Sequence, residues 1–208
     1  MLPAVRPGPR TVALTAVVGG FLLGFLGFAW IKWVPYPFAE LGNSTATWAV
    51  GAFAFGYWAR SGWVRSAVGA AVLLVVAVPS YYLAATLMQG DDLAVVWAST
   101  SLLWMVFGVL AGVVFGIGGD WARGAGWRQV LGTALPAAVF FEEAARFARR
   151  ANDPSYPSGS AWNVAIDVTL GLLAVVLIGR SNRQRALALA VALPLAMVIF
   201  VGFALAGG

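Results

Sequence analysis

Seven apolar segments constrain this sequence more than any other feature. A helix needs about 20 mostly apolar residues to cross the hydrocarbon core of a bilayer. Short connections such as QGDD (89–92) and GGD (118–120) separate the segments and leave no room for a soluble domain. The sequence therefore predicts a single all-α transmembrane domain, residues 1–208, with seven helices at about 12–31, 44–59, 64–88, 93–117, 128–149, 161–179 and 185–206.

Composition narrows the chemistry that such a domain can perform. Of the 208 residues 61% are apolar and 10% are charged, whereas soluble domains have about 25% charged residues. The chain contains neither cysteine nor histidine, which removes thiolate ligands, disulfides and the commonest metal ligand and neutral-pH proton carrier. With no phosphate loop or dinucleotide fingerprint either, we expect no cofactor, no metal and no nucleic-acid partner. Acid–base chemistry would depend on carboxylates and tyrosines.

The Lys and Arg residues predict how the chain is oriented. Nine of them fall on one side of the seven segments and four on the other, and the richer side of a membrane protein is normally cytoplasmic. We therefore expect the N-terminus in the cytoplasm, the C-terminus outside, and the bilayer of the inner (plasma) membrane as the surroundings. The count depends on the short second segment, which must cross the membrane.

Acidic residues are concentrated toward the outer side. Three of them, Asp91, Asp92 and Asp153, are predicted to be solvated turn residues, whereas Glu40, Glu142, Glu143 and Asp167 belong to the outer half of the domain. An ionisable group within a span costs a few kcal/mol, about 2.5–3.5 on the mildest scale, so it normally faces protein or a wet cavity and has a role. These four residues are the candidate catalytic residues.

The stretch VFFEEAARFARR (139–150) contains two of these acids beside a cation. Arg146 is four residues after Glu142 and three after Glu143, and either spacing permits an ion pair on a helix. Adjacent helical residues point about 100° apart, so we expect one glutamate to pair with an arginine and the other to face the interior. Asp167 has no cation at helical spacing, while Asn163 lies one turn earlier.

Aromatic residues within the spans predict a chamber in the same outer half. The third helix is expected to kink at Pro79, immediately before Tyr81 and Tyr82. Aromatic side chains can line a cavity or simply fill a helix interface, and both readings stay open for each of them. The candidate substrate-binding residues are Trp48, Tyr81, Tyr82, Trp97, Trp104, Phe140, Phe141 and Asn163.

A protonated acid beside aromatic walls suits one kind of chemistry. A carboxylic acid shielded from water can keep its proton at neutral pH and donate it to an alkene or epoxide, and aromatic faces stabilise the resulting carbocation. A second group then removes a proton. These steps describe terpene cyclisation that begins with protonation, acting on a hydrophobic prenylated small molecule. No Asp-rich motif for diphosphate ionisation occurs in the sequence.

Four stretches carry a resemblance to known proteins. LGNSTATWAVGAFAFG (41–56), the pair Tyr81-Tyr82, GVVFGIGGDWAR (112–123) and FFEEA (140–144) together resemble an uncharacterised family of small actinobacterial multi-pass membrane proteins. In size, span number and buried acids the chain also loosely resembles small integral-membrane terpene cyclases of the drimentine and fungal meroterpenoid pathways. That second resemblance implies protonation by an acidic residue, and no catalytic residue is transferred from it.

Two other functions fit the same residues. Carboxylates within the membrane also serve proton-coupled transporters or channel-like proteins, although no inverted repeat is visible here. The acids and arginines could instead pair in a structural or assembly factor without chemistry. Two GxxxG segments, 20–24 and 108–112, would permit close approach of helices from two copies, so we consider a homo-oligomer as a partner as well.

Overall fold

The chain forms an all-helical bundle in a computed structural model that describes residues 7–150 and 160–205. Within these ranges seven α-helices occur, and two short 3₁₀ helices precede α2 and α4 at Phe38–Asn43 and Leu93–Trp97. The α-helices are α1 (Pro9–Trp33), α2 (Thr45–Ala59), α3 (Trp63–Gln89), α4 (Ser99–Ala122), α5 (Gly126–Arg150), α6 (Ser160–Ile178) and α7 (Asn182–Leu205). The predicted turn residue Asp153 lies outside the described residues.

Five of the helices are long and apolar enough to cross a membrane by length and composition: α1, α3, α4, α6 and α7. The chain is therefore best described as a multi-pass membrane protein. Helix α2 has 15 residues, fewer than the roughly 20 that a span needs. Helix α5 has 25 residues but contains both glutamates and several arginines. The sequence prediction of seven crossings is thus supported for five helices.

Helices α2 and α5 occupy the middle of the bundle. Helix α2 packs against α3, α4 and α5, and α5 packs against α2, α4, α6 and α7. The other helices present large exposed apolar side chains, such as Leu14 on α1 and Leu177 on α6. Because neighbouring helices cover α5, its charged residues need not face lipid. This position explains how the most polar long helix is accommodated.

Local sequence determines where several helices begin and end. The Ser44 hydroxyl accepts a hydrogen bond from the Thr47 amide at 3.0 Å and caps α2. Gly90 ends α3 with φ of 80°, a left-handed conformation that glycine adopts at little cost. The fourth predicted segment was wrong at its start, because Leu93–Trp97 forms a separate 3₁₀ helix and α4 begins only at Ser99. Helix α3 continues through Pro79.

The glycines of the two GxxxG segments pack within the chain. A Cβ atom on Gly20 or Gly24 would overlap the backbone of α3 at Leu73 or Ala77, and one on Gly112 would overlap Ala71. These glycines therefore allow α1 and α4 to approach α3 closely. They are used between helices of one molecule, and homo-oligomerisation remains an untested prediction.

Hydrogen bonds define the two ends of the bundle. At one end, where α2 begins and α5 ends, Arg146 donates to Thr45 at 2.6 Å; we call it the carboxylate end. At the other, where α2 ends and α5 begins, Arg123 donates to the Tyr57 carbonyl and Arg180 donates to the Arg123 carbonyl. We call this the arginine end. Successive helices run between these two ends.

Candidate functional site

A cavity of about 900 Å³ lies in the carboxylate half of the bundle, between α4 and α7. Leu110 and Val114 of α4 and Val198 of α7 line it and are also exposed at the outer surface of the bundle. The cavity is therefore open sideways between these two helices. Eight aromatic side chains contribute to its wall: Trp48, Tyr81, Tyr82, Trp104, Phe107, Phe115, Phe147 and Phe203.

Ring contacts hold several of these walls in place. Tyr81 packs edge-to-face on both Trp48 and Tyr82, with ring centroids 6.0 and 5.7 Å apart. Phe107 of α4 and Phe203 of α7 have centroids 6.1 Å apart, so this pair joins the two helices that flank the opening. Aromatic pairs of this geometry contribute about 0.5–1.5 kcal/mol beyond their buried area.

Glu143 forms the polar end of the cavity. Its Oε2 accepts hydrogen bonds from the Ser44 hydroxyl and the Ala46 amide, both at 2.8 Å, and a longer one of 3.4 Å from the Thr45 hydroxyl. The Ala46 amide is one of the donors at the start of α2 that has no partner within the helix. The positive end of the α2 dipole also favours an anion there. These hydrogen bonds join α2 to α5, two helices that are far apart in the sequence.

Glu142 has a different environment. It is fully buried and does not line this cavity. Its Oε1 lies 2.7 Å from Nε of Arg146. Nη2 of Arg146 lies 3.8 Å from Oε1 of Glu143. The same guanidinium lies over the Phe203 ring, 4.8 Å from its centroid. The expected division between the two glutamates therefore holds in part: Glu143 faces the cavity, and Arg146 contacts both carboxylates.

Asp167 lies on the other side of α5, in a separate small pocket of about 10 Å³. Asn163 lines the same pocket one turn earlier on α6. Asp167 and Asn163 are 3% and 7% exposed, and neither Oδ2 of Asp167 nor Oδ1 of Asn163 has a hydrogen-bond partner among the described residues. Glu143 and Glu40 border both this pocket and the large cavity.

The predicted site residues fall into three groups. Glu40, Glu143, Trp48, Tyr81, Tyr82 and Trp104 line the large cavity, whereas Asp167 and Asn163 line only the small pocket. Four residues line neither: Glu142, Trp97, Phe140 and Phe141. Trp97 is 74% exposed on the 3₁₀ helix before α4, and Phe140 is buried in the core. Phe141 packs where α5 meets α6 and α7, with its ring against Gly171 of α6.

Some cavity residues were missed from sequence. Phe147 lies one turn after Glu143, and this spacing could have placed both on one face of α5. Phe203 offered no such signal, because nothing in the sequence indicates that α7 lies beside α4. Arg146 was expected as an ion-pair partner only, yet it also lines the large cavity.

The fold and the site together define a class: a helical membrane protein with a sideways-open aromatic cavity and a buried cluster of carboxylates. The chain belongs to a family of unknown function (DUF6518), which it matches over residues 3–208. Comparisons with curated proteins and with solved structures give no match. The family assignment confirms the expectation of an uncharacterised family, and the likeness to terpene cyclases gains no support from it.

Proposed function

We propose that the protein is a membrane-integrated terpene cyclase acting on a hydrophobic prenylated small molecule. The observation that supports this most directly is the cavity of about 900 Å³ with aromatic walls and a carboxylate at its polar end. Small-molecule sites commonly measure about 300–1,000 Å³. The opening between α4 and α7 would admit an apolar substrate from the bilayer. Aromatic faces would stabilise the carbocations that form along the prenyl substrate.

The reaction proposed is an isomerisation that consumes no co-reactant. Oε2 of Glu143 accepts the hydrogen bonds of Ser44 and Ala46, so Oε1 would carry the proton before the reaction, and the same donors would stabilise the carboxylate that remains after the proton is given up. That proton adds to a terminal alkene, whose π electrons form the C–H bond, or to an epoxide oxygen, whose C–O bond breaks. The next alkene closes a ring onto the cation. The last cation loses a proton to a carboxylate, for which Glu40 at the cavity rim is the candidate, and a new alkene forms. Return of that proton from Glu40 to Glu143, which lines the same cavity, would restore the starting state.

The same proposal has all seven α-helices crossing the membrane with the N-terminus in the cytoplasm. Two observations support it. Helix α2 is short but is enclosed by α3, α4 and α5, so it need not match the lipid thickness by itself. Of the Lys and Arg residues that the structure describes, eight belong to the arginine end and four to the carboxylate end. Glu143 and the polar end of the cavity would then lie toward the outer face of the inner membrane.

Proton-coupled transport is the second candidate. It is favoured by Glu143, which borders both the large cavity and the pocket of Asp167 and could pass a proton between them. Against it, the deepest lining residues of the large cavity are Leu74, Phe115 and Leu135, and none of its lining residues belongs to the arginine end. A carrier needs a second conformation that opens there.

The cyclase proposal can be tested by comparing Glu143→Gln with Asp91→Asn. Both changes replace a carboxylate by an amide, but Asp91 lies in an exposed loop. Purified variants are incubated with prenylated indoles and their epoxides, and products are separated by mass and retention. General acid catalysis contributes about 10²–10⁴-fold, so Glu143→Gln should lose at least about 100-fold in rate while Asp91→Asn keeps parental activity.

Two results would count against the cyclase. Full cyclisation by Glu143→Gln would remove Glu143 from the mechanism. No product from the parental protein with any of these substrates, together with pH-driven uptake in proteoliposomes, would favour the transporter.

A further inference from the structure

We infer that the small pocket between α5, α6 and the 3₁₀ helix Phe38–Asn43 binds one monovalent cation of the size of sodium. Asp167 and Asn163 line this pocket from α6, and Glu143 lines it from α5. The inference concerns a ligand other than the prenylated substrate and does not depend on the proposed reaction.

Two unpartnered oxygens point to a ligand here. Oδ1 of Asn163 is a neutral amide oxygen and Oδ2 of Asp167 belongs to a carboxylate, and both atoms are buried without a hydrogen-bond partner among the described residues. The two residues are four apart on α6 and therefore lie on the same face. Leaving a buried polar atom unsatisfied costs about 1–3 kcal/mol, more for a charged group, so a bound species that contacts both is favoured.

Charge gives an independent reason. Asp167 is 3% exposed and forms no ion pair among the described residues, whereas Glu142 and Glu143 both have Arg146 within ion-pair distance. Buried charges are normally paired, so an isolated carboxylate at this position calls for positive charge. A cation bound beside Asp167 supplies it.

The ligand set fits a singly charged ion. Carboxylate, amide and hydroxyl oxygens are the ligands that hard cations prefer, and Asp167, Asn163, Glu143 and Ser44 provide all three kinds. Calcium takes about six to eight oxygen ligands and magnesium keeps several of its waters, so a pocket of about 10 Å³ suits sodium better than either divalent ion.

Size and access agree with this assignment. The pocket of about 10 Å³ holds one body of the size of a water molecule. Glu40, which lines the pocket, is also exposed at the carboxylate end of the bundle. An ion can reach Asp167 from water past this residue without crossing the apolar bundle.

The test measures thermal unfolding of the purified full-length protein in detergent while sodium chloride replaces choline chloride at constant ionic strength. A ligand that binds only the folded state stabilises it by mass action. At saturating sodium the midpoint should rise by about 5 °C. Asp167→Asn should abolish this rise, whereas Asp91→Asn should retain it in full. Asn163→Val, which keeps both carboxylates, should move the sodium dependence to higher concentration.

Each other outcome would overturn the inference. An equal midpoint in sodium and choline means that no sodium is bound, and a midpoint that responds to pH alone would assign the pocket to a proton. A full sodium effect in Asp167→Asn would place the ion elsewhere. If Asp167→Asn yields no folded protein, Asn163→Val decides, and an unchanged sodium dependence in that variant contradicts the site. None of these measurements uses a prenylated substrate, so they are independent of the cyclase experiment.

Discussion

Arg146 lies between two carboxylates of its own helix, with Nε 2.7 Å from Glu142 and Nη2 3.8 Å from Glu143. It also donates to Thr45 at the start of α2. One guanidinium therefore connects the buried acids of α5 to a second helix and to the large cavity. We therefore expect the stability of the carboxylate end to depend strongly on this residue.

Replacing Arg146 by methionine should destabilise the protein strongly. It would leave two buried carboxylates without their cation, and breaking a buried pair costs about 3–5 kcal/mol. Arg149→Met is the matched control, because Arg149 is exposed and its cation–π contact with Phe200 is worth about 0.5–1 kcal/mol. The free energy of unfolding in detergent and denaturant distinguishes them. Equal losses in the two variants would contradict the role of Arg146.

A double variant tests whether Glu142 and Arg146 stabilise each other. Arg146→Met combined with Glu142→Gln should be less destabilised than Arg146→Met alone, because the second change removes one of the stranded charges. Simple addition of the two single effects would mean that Glu142 and Arg146 are not coupled.

Close packing at Gly119 should tolerate no side chain. A Cβ atom there would overlap the Phe53 carbonyl oxygen and the Tyr57 amide of α2. Gly119→Ala should therefore lower the free energy of unfolding by about 1–3 kcal/mol, as overpacking does. Gly202→Ala makes the same change where nothing lies within 4 Å, and it should be neutral or slightly stabilising. A neutral Gly119→Ala would show that α2 and α4 pack less closely.

The topology can be tested with single cysteines, since the sequence contains none. With the N-terminus in the cytoplasm, Asp91→Cys should react with a membrane-impermeant maleimide on intact cells. Asn182→Cys should react only after permeabilisation. Phe38→Cys lies between α1 and α2 and is exposed, so it should react like Asp91→Cys if α2 crosses the membrane, while Trp63→Cys, just after α2, reacts like Asn182→Cys. The opposite pattern at all four sites would invert the orientation, and a Phe38→Cys that reacts like Trp63→Cys would show that α2 does not cross.

Filling the large cavity should weaken ligand binding. Ala111 lines the cavity from α4, whereas Leu103 is exposed on the same helix and does not line it. Ala111→Trp should reduce photo-crosslinking of a diazirine-bearing polyprenyl analogue by about tenfold, equivalent to about 1.4 kcal/mol of binding free energy. Leu103→Trp should leave it unchanged. Equal labelling of both variants would mean that the probe binds outside this cavity.

Sequence predicted the helices well and the site less completely. Six of the seven helices begin and end within a few residues of the predicted bounds, because apolar length, caps and breakers are local signals. Trp97 was misplaced because the 3₁₀ helix before α4 was read as part of the span. Phe140 and Phe141 directly precede Glu142 in the sequence, but their positions on the helix direct Phe140 to the core and Phe141 to the packing of α5 with α6 and α7.

Sequence alone predicts a helical membrane protein with acids in one half and arginines concentrated on one side. These properties follow from composition, segment length and the order of charges, which require no knowledge of packing. That Glu143 borders both the large cavity and the small pocket, that Glu142 lines neither, and that Asp167 lines only the small pocket could be seen only from the packing of the helices. Those facts depend on how α2, α6 and α7 pack around α5, and such contacts join residues about a hundred positions apart, as between Ser44 and Glu143.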